Sequence, residues 1–197
     1  DGRAIVTHSD GTLVFLDLAG RRELDTDDDA TTTTPGAPAG VTRLKPSTAT
    51  RGVAIAERTG KQFALVVSQG SDELVVVDVS ADLKKPSVCK RFNIGRDSAK
   101  NEDAWDVVVM PDQTKAYVSF RGTVSAPSDT LAVIDVTKAT DCATAGGEVT
   151  KYLSAIFGSK AGIGSMALDP TAKRLALTAR RAGTCTATVR TTKFGST

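Results

Sequence analysis

Histidine occurs once in these 197 residues, as His8, and tryptophan once, as Trp105. A single imidazole excludes His-rich zinc or copper sites and bis-His haem ligation within this chain. There are three cysteines, Cys89, Cys142 and Cys185, with no C-x-x-C pair, so no zinc-ligand spacing is present. Two states stay open for them: one disulfide with a free thiol, or three buried thiols. Apolar runs such as Leu74–Val77 and Val107–Met110 end after a few residues, whereas a membrane helix needs roughly twenty. No transmembrane segment is therefore expected, and the near-balanced net charge of +2 argues against a dedicated nucleic-acid or polybasic membrane surface, which needs clustered Lys and Arg. Asp1-Gly2-Arg3 leads straight into a strand-like run, with no signal peptide. A mature secreted protein reads the same way, so this leaves the compartment open.

What the chain has instead is repetition. Gly11–Ala19 (GTLVFLDLA), Asp72–Ser80 (DELVVVDVS) and Asp129–Thr137 (DTLAVIDVT) are apolar runs closing on Asp17, Asp78 and Asp135, 61 and then 57 residues apart. Upstream of them, Ile5-Val6-Thr7, Val66-Val67-Ser68, Tyr117-Val118-Ser119 and Ala176-Leu177-Thr178 end apolar runs on a small hydroxyl residue. Earlier still, segments from Val53, Val107 and Met166 read strand, polar turn ending on Lys61, Lys115 or Lys173, then strand. Turn residues between short runs of β-formers are a hairpin signal.

The unit is therefore four strands in series, with Ser87–Ile94 and Glu148–Ile156 as the fourth strands of two units. Val149–Phe157 has the β-branched and aromatic content of a strand more than of a helix. A four-stranded antiparallel meander repeated in series is a propeller blade, and blades bury their faces on one another. The expected fold class is all-β, a β-propeller of about three and a half blades forming an open or incomplete ring. The units lie approximately at residues 1–50 (incomplete), 51–103, 104–160 and 161–197 (incomplete), with a loop insertion over 25–50. The fourth has a poor third strand, Thr184–Thr191. Propellers close with about four to eight blades. The chain is thus expected to be part of something larger, or to be completed by a second copy or another chain.

The third unit, DAWDVVVMPDQTKAYVSFRG followed by SDTLAVIDVT, resembles the YVTN family of β-propeller repeats. Pro111, Asp112 and Thr114 to Ser119 match the first half of that repeat, and Asp129 to Asp135 the second. The second unit keeps Asp72 and Val75–Asp78, and the fourth keeps Asp169, Pro170 and Lys173. The resemblance implies the propeller architecture and an exported, cell-surface type of protein. It implies no single chemistry, because propellers host many functions.

Candidate chemical residues are few. Asp17, Asp78 and Asp135 are expected to cap the turns after them. His8 sits at an ordinary strand exit. Trp105 precedes an inner strand, where either a ligand contact or burial between blades is open, burial being the expectation. Asp25, Asp27, Asp28 and Asp29 form the one metal-like run. Ca²⁺ would be sought there first, but the EF-hand register fails at Ala30 and Gly36. Since Ala30–Gly40 has linker composition, a solvated, flexible insertion is expected, and no other cofactor. Gly158 to Ser165 leads into a strand, not a helix, which excludes a phosphate cradle.

No catalytic residue is assigned. The expected role is a non-enzymatic exported binding, scaffold or assembly module, contacting a protein partner or its own copies through blade edges. The alternative is a portion of a propeller enzyme or redox protein, of lactonase, lyase or quinoprotein type, with its active residues in other blades.

Overall fold

The computed structural model describes residues 2–27, 29, 31–80, 85–97, 101–123, 128, 130–154, 156–157, 161–169, 171, 174–181 and 189–193. Asp28, Asp129, Pro170, Lys173, Cys185 and most of Thr184–Thr191 lie outside the described residues.

Each hairpin signal in the sequence becomes a pair of antiparallel strands. The first sheet holds β1 (Arg3–Thr7), β2 (Leu13–Asp17) and β3 (Arg22–Glu23). The second holds β4 (Thr50–Arg58), β5 (Lys61–Ser68), β6 (Glu73–Asp78) and β7 (Ser87–Asn93). The third holds β8 (Ala104–Val109), β9 (Lys115–Phe120), β10 (Leu131–Asp135) and β11 (Val149–Leu153). The fourth holds β12 (Ala161–Asp169), β13 (Arg174–Arg181) and β14 (Val189–Lys193). Strands neighbour one another in chain order, so every sheet is a meander, and among the described residues the first and fourth sheets share no pairing. This is an incomplete β-propeller. No helix among the described residues is long and apolar enough to cross a membrane.

The stacking is a product of strand alternation. On β5 and β6, Ala64, Val66, Val75 and Val77 pack with Leu13 and Phe15 of the first sheet. The intervening Leu65, Val67, Leu74 and Val76 pack with Ala116, Val118, Ala132 and Ile134 of the third. Tyr117, Leu131 and Val133 then turn to Ile163, Leu175 and Leu177 of the fourth. Burying each such aliphatic side chain contributes about 2 kcal/mol, so a run like Leu74–Val77, buried on both faces, joins three blades.

The strand-closing aspartates cap the adjoining turns. Asp17 Oδ1 accepts from Gly20 N at 2.9 Å, and Asp78 Oδ1 from Ser80 N at 2.9 Å. Asp135 Oδ1 accepts from Lys138 N at 3.2 Å, which makes it the N-cap of a single helical turn, α1 (Val136–Ala139). That turn is absent from the repeat pattern. Val149–Leu153 is a strand, and the third strand of the fourth sheet ends at Lys193, two residues beyond the sequence expectation.

Composition suggested a flexible linker after β3, but the described part folds back on itself. Thr26 N donates to Thr42 O at 3.1 Å and Thr34 N to Val41 O at 3.0 Å. Arg43 grips Glu23 through Nε–Oε1 at 2.6 Å and Nη2–Oε2 at 2.9 Å, a bidentate fork of two charge-assisted hydrogen bonds. Leu44 bridges to Leu13 and so extends the outer side of the first sheet.

Candidate binding site at the inner strands

The innermost strand of each sheet after the first is irregular at one shared level. Pairing slips between Thr50 and Val53 on β4, between Ala104 and Asp106 on β8, and between Ile163 and Met166 on β12. These are β-bulges, which re-aim side chains and cluster at barrel rims and functional sites. They bring Arg51 and Gly52, Trp105 and Asp106, and Gly164 and Ser165 to successive positions along the inner strands.

Hydroxyl groups hold the bulges. Thr7 Oγ1 donates to the Arg51 carbonyl, and Ser119 Oγ donates to Gly164 O at 2.9 Å, each across a blade boundary. That is the role of the small hydroxyl residue ending the second strand of a unit. In the second sheet the register differs by one: Val67, opposite Leu74, holds the place of Thr7 and Ser119, while Ser68 contacts the hydroxyls of Ser47 and Ser71. Asp106 Oδ2 accepts from Met166 N at 2.7 Å, joining the bulge of the third sheet to that of the fourth. Burial pushes the Asp106 carboxyl above its usual range, against the two backbone N–H groups it accepts.

Gly52 makes the close approach between bulges work. A Cβ there would lie 2.7 Å from Asp106 Cα, a backbone contact that no rotamer can relieve. Thr7, Thr50, Arg51, Trp105, Asp106 and Ser165 surround a cavity of about 290 Å³ at this level.

Trp105 is half-buried where the second and third blades meet, outside the apolar clusters that join them. Two guanidiniums lie over its indole, Arg121 at 3.8 Å and Arg51 at 4.9 Å from the ring centroid. The ring's negative face attracts both cations. Both are tied back to Asp103: Arg121 Nε and Nη2 each reach Asp103 Oδ2 at 2.7 Å, and Gln69 links Arg51 to Asp103 Oδ1. Asp72, 3% exposed, accepts from Ala104 N at 2.9 Å and Glu102 N at 2.5 Å, and so fixes the chain entering β8. The sequence signal for this cluster was only the lone Trp beside acidic residues. Its two arginines lie 54 and 16 residues from Trp105 in opposite directions, so spacing could not have found them.

The remaining sequence candidates lie apart from this cluster. His8 is exposed, with Nδ1 3.0 Å from Asp10 Oδ1. The Asp10 carboxyl is held far below its usual range, chiefly by the Thr12 hydroxyl and N–H, then by His8. In the acidic run, Asp27 Oδ1 accepts from Asp29 N at 2.9 Å and Asp29 Oδ1 from Thr31 N at 2.9 Å, while Asp25 Oδ1 accepts from Thr42 N at 2.9 Å. These carboxylates organise turns. Among the described residues no three His, Cys, Asp or Glu side chains converge as a metal cage.

A covalent and an ionic tie join the second and third blades on their outer side. Cys89 on β7 is bonded to Cys142, beyond α1, with their Cα atoms 5.2 Å apart. Next to it, Lys90 Nζ lies 2.5 Å from Glu148 Oε1 and donates to Lys138 O at 3.0 Å.

No protein-family model and no curated protein sequence matches the chain. Among solved structures it is similar to the β-propeller domain of Cps50 (Swd1) from Myceliophteria thermophila, at a TM-score of 0.53 and 12% identity. The match covers 91% of this chain and 46% of that one, so the chain spans less than half of that domain. At this identity the likeness concerns fold alone.

Proposed function

We propose that the chain is a portion of a larger exported propeller of the YVTN type, which acts as a binding or assembly module without catalysis of its own. The observation that carries this reading is the uncovered face of the first sheet. Val6 is 46% exposed and Leu18 54% exposed, on the side that the next two blades bury against a neighbour. An apolar sheet face of this kind marks an interaction surface. The Cys89–Cys142 bond supports export, since disulfides persist in oxidising compartments. The single histidine supports a non-catalytic role, because acid–base chemistry in a channel needs several converging groups. No cofactor is assigned; a calcium ion would have to compete with the turns that Asp25, Asp27 and Asp29 already cap.

Native mass spectrometry tests the reading. The expected particle is a dimer, a higher assembly or a complex with a second polypeptide. A stable, compact 20.5 kDa monomer at micromolar concentration would overturn it.

A further inference from the structure

Arg51 and Asp106 carry opposite charges, and both line the cavity of about 290 Å³ at the inner-strand bulges. Their backbones are close, because Gly52, next to Arg51, packs against the Asp106 Cα. Yet no ion pair joins them, and among the described residues neither has another ionic partner. Arg51 Nε donates to the neutral amide oxygen of Gln69, and its guanidinium lies 4.9 Å from the Trp105 ring centroid. Arg121 differs, since Asp103 neutralises it through two contacts. Asp106 accepts only from backbone, Val107 N at 2.9 Å and Met166 N at 2.7 Å. Burial acts most strongly on this carboxyl, as on a charge drawn from water without a counter-ion. Two further polar groups at the cavity are unengaged. The Trp105 indole N–H and the Ser165 hydroxyl make no hydrogen bond to a described residue.

This lining limits what fits. A lone anion would meet Arg51 but face the Asp106 carboxylate, and a lone cation would do the reverse. An apolar molecule would strip water from both charges and return no partner. A molecule bearing both an ammonium and a carboxylate satisfies each at once, and the guanidinium fork suits a carboxylate. The volume lies at the lower end for ligand pockets, which favours an amino acid over anything larger. Arg51, Trp105, Asp106 and Ser165 stand on β4, β8 and β12. Those three inner strands are all in place, so the arrangement does not depend on how the ring is completed.

We infer that this cavity binds a small zwitterion, a free amino acid whose carboxylate is held by Arg51 and whose ammonium is held by Asp106. It is a ligand site in addition to the proposed assembly role and separate from the blade contacts.

Titration of the 197-residue protein with alanine and with γ-aminobutyrate tests it, since the two probes differ in charge separation. At least one should bind saturably at millimolar concentration, read by calorimetry and by the emission of Trp105, the only tryptophan. Propionate and butyrate lack the ammonium, whereas ethylamine and propylamine lack the carboxylate. Each should bind more than about tenfold more weakly than its zwitterion, as loss of a charge-assisted hydrogen bond predicts. Arg51→Gln should weaken zwitterion binding by a similar factor and leave amine binding unchanged. The truncated ligands probe the unaltered protein, so the test stands even where a variant fails to fold. No saturation with either zwitterion, equal binding of its acid or amine, or full affinity in folded Arg51→Gln would each overturn the inference. If native mass reveals an assembly while neither zwitterion binds, the functional reading stands and this site falls.

Discussion

The Lys90 ammonium sits 2.5 Å from the Glu148 carboxylate, with both side chains less than 10% exposed, so an ion pair is buried where the second blade meets the third. Burial pushes the Glu148 carboxyl up, but the hydrogen bonds from Lys90 and the Gly146 N–H outweigh it and hold the group below its ordinary value of 4.5. A depressed folded-state value means the pair contributes fully above about pH 4.5. That contribution is lost as pH falls through the lower, folded value.

Glu148→Gln therefore should cost about 3 kcal/mol near neutral pH, because Lys90 is left without its counter-charge. Denaturant melts of both proteins from pH 7 to pH 3 check this. The gap between them should narrow below pH 4.5, and a gap independent of pH would contradict the assignment.

Reducing the Cys89–Cys142 bond should lower stability by about 4 kcal/mol, since it closes a long loop, with a sequence separation of 53. Urea unfolding with and without reductant measures it. Cys142→Ser should reproduce the effect and make reductant ineffective.

Gly52→Ala should destabilise the fold by about 2 kcal/mol, because the new methyl would meet the Asp106 backbone at 2.7 Å and force the β4 and β8 bulges apart. Gly60→Ala, with open space around its Cβ but φ at 75°, should cost about 1 kcal/mol. Thermal unfolding of the two variants compares a packing clash with a local backbone cost.

Arg121→Ala should remove both hydrogen bonds to Asp103 and the closer cation on Trp105, for a loss of about 2 kcal/mol. Trp105 is the only tryptophan, so intrinsic fluorescence reads this site alone. A shifted emission maximum in the folded variant is expected. Unchanged emission would mean that the guanidinium does not stack on the ring in solution.

Much of this was legible in the chain because it is local. Asp17, Asp78 and Asp135 cap turns two or three residues away, and hairpin signals place β4–β5 and β8–β9 within a few residues of their bounds. Repeat matching misplaced Ser68 by one position, because the hydroxyl pattern persists in the sequence while Val67 occupies the ladder position. Linker composition concealed the Glu23–Arg43 fork, whose partners are 20 residues apart. The resemblance of the third unit to the YVTN repeat bears on architecture and leaves the Trp105 cluster undetermined.

By itself, the sequence determined the strand period, the four-sheet order and the incompleteness of the ring, since alternation and turn residues act between near neighbours. Only the tertiary structure decided that Cys89 pairs with Cys142, that Arg51 and Arg121 converge on Trp105, and that Asp106 reaches the Met166 N–H of the next sheet. Each of those relations depends on how separate parts of the chain come together. Their distances are set by how one sheet packs on the next, which no local pattern encodes.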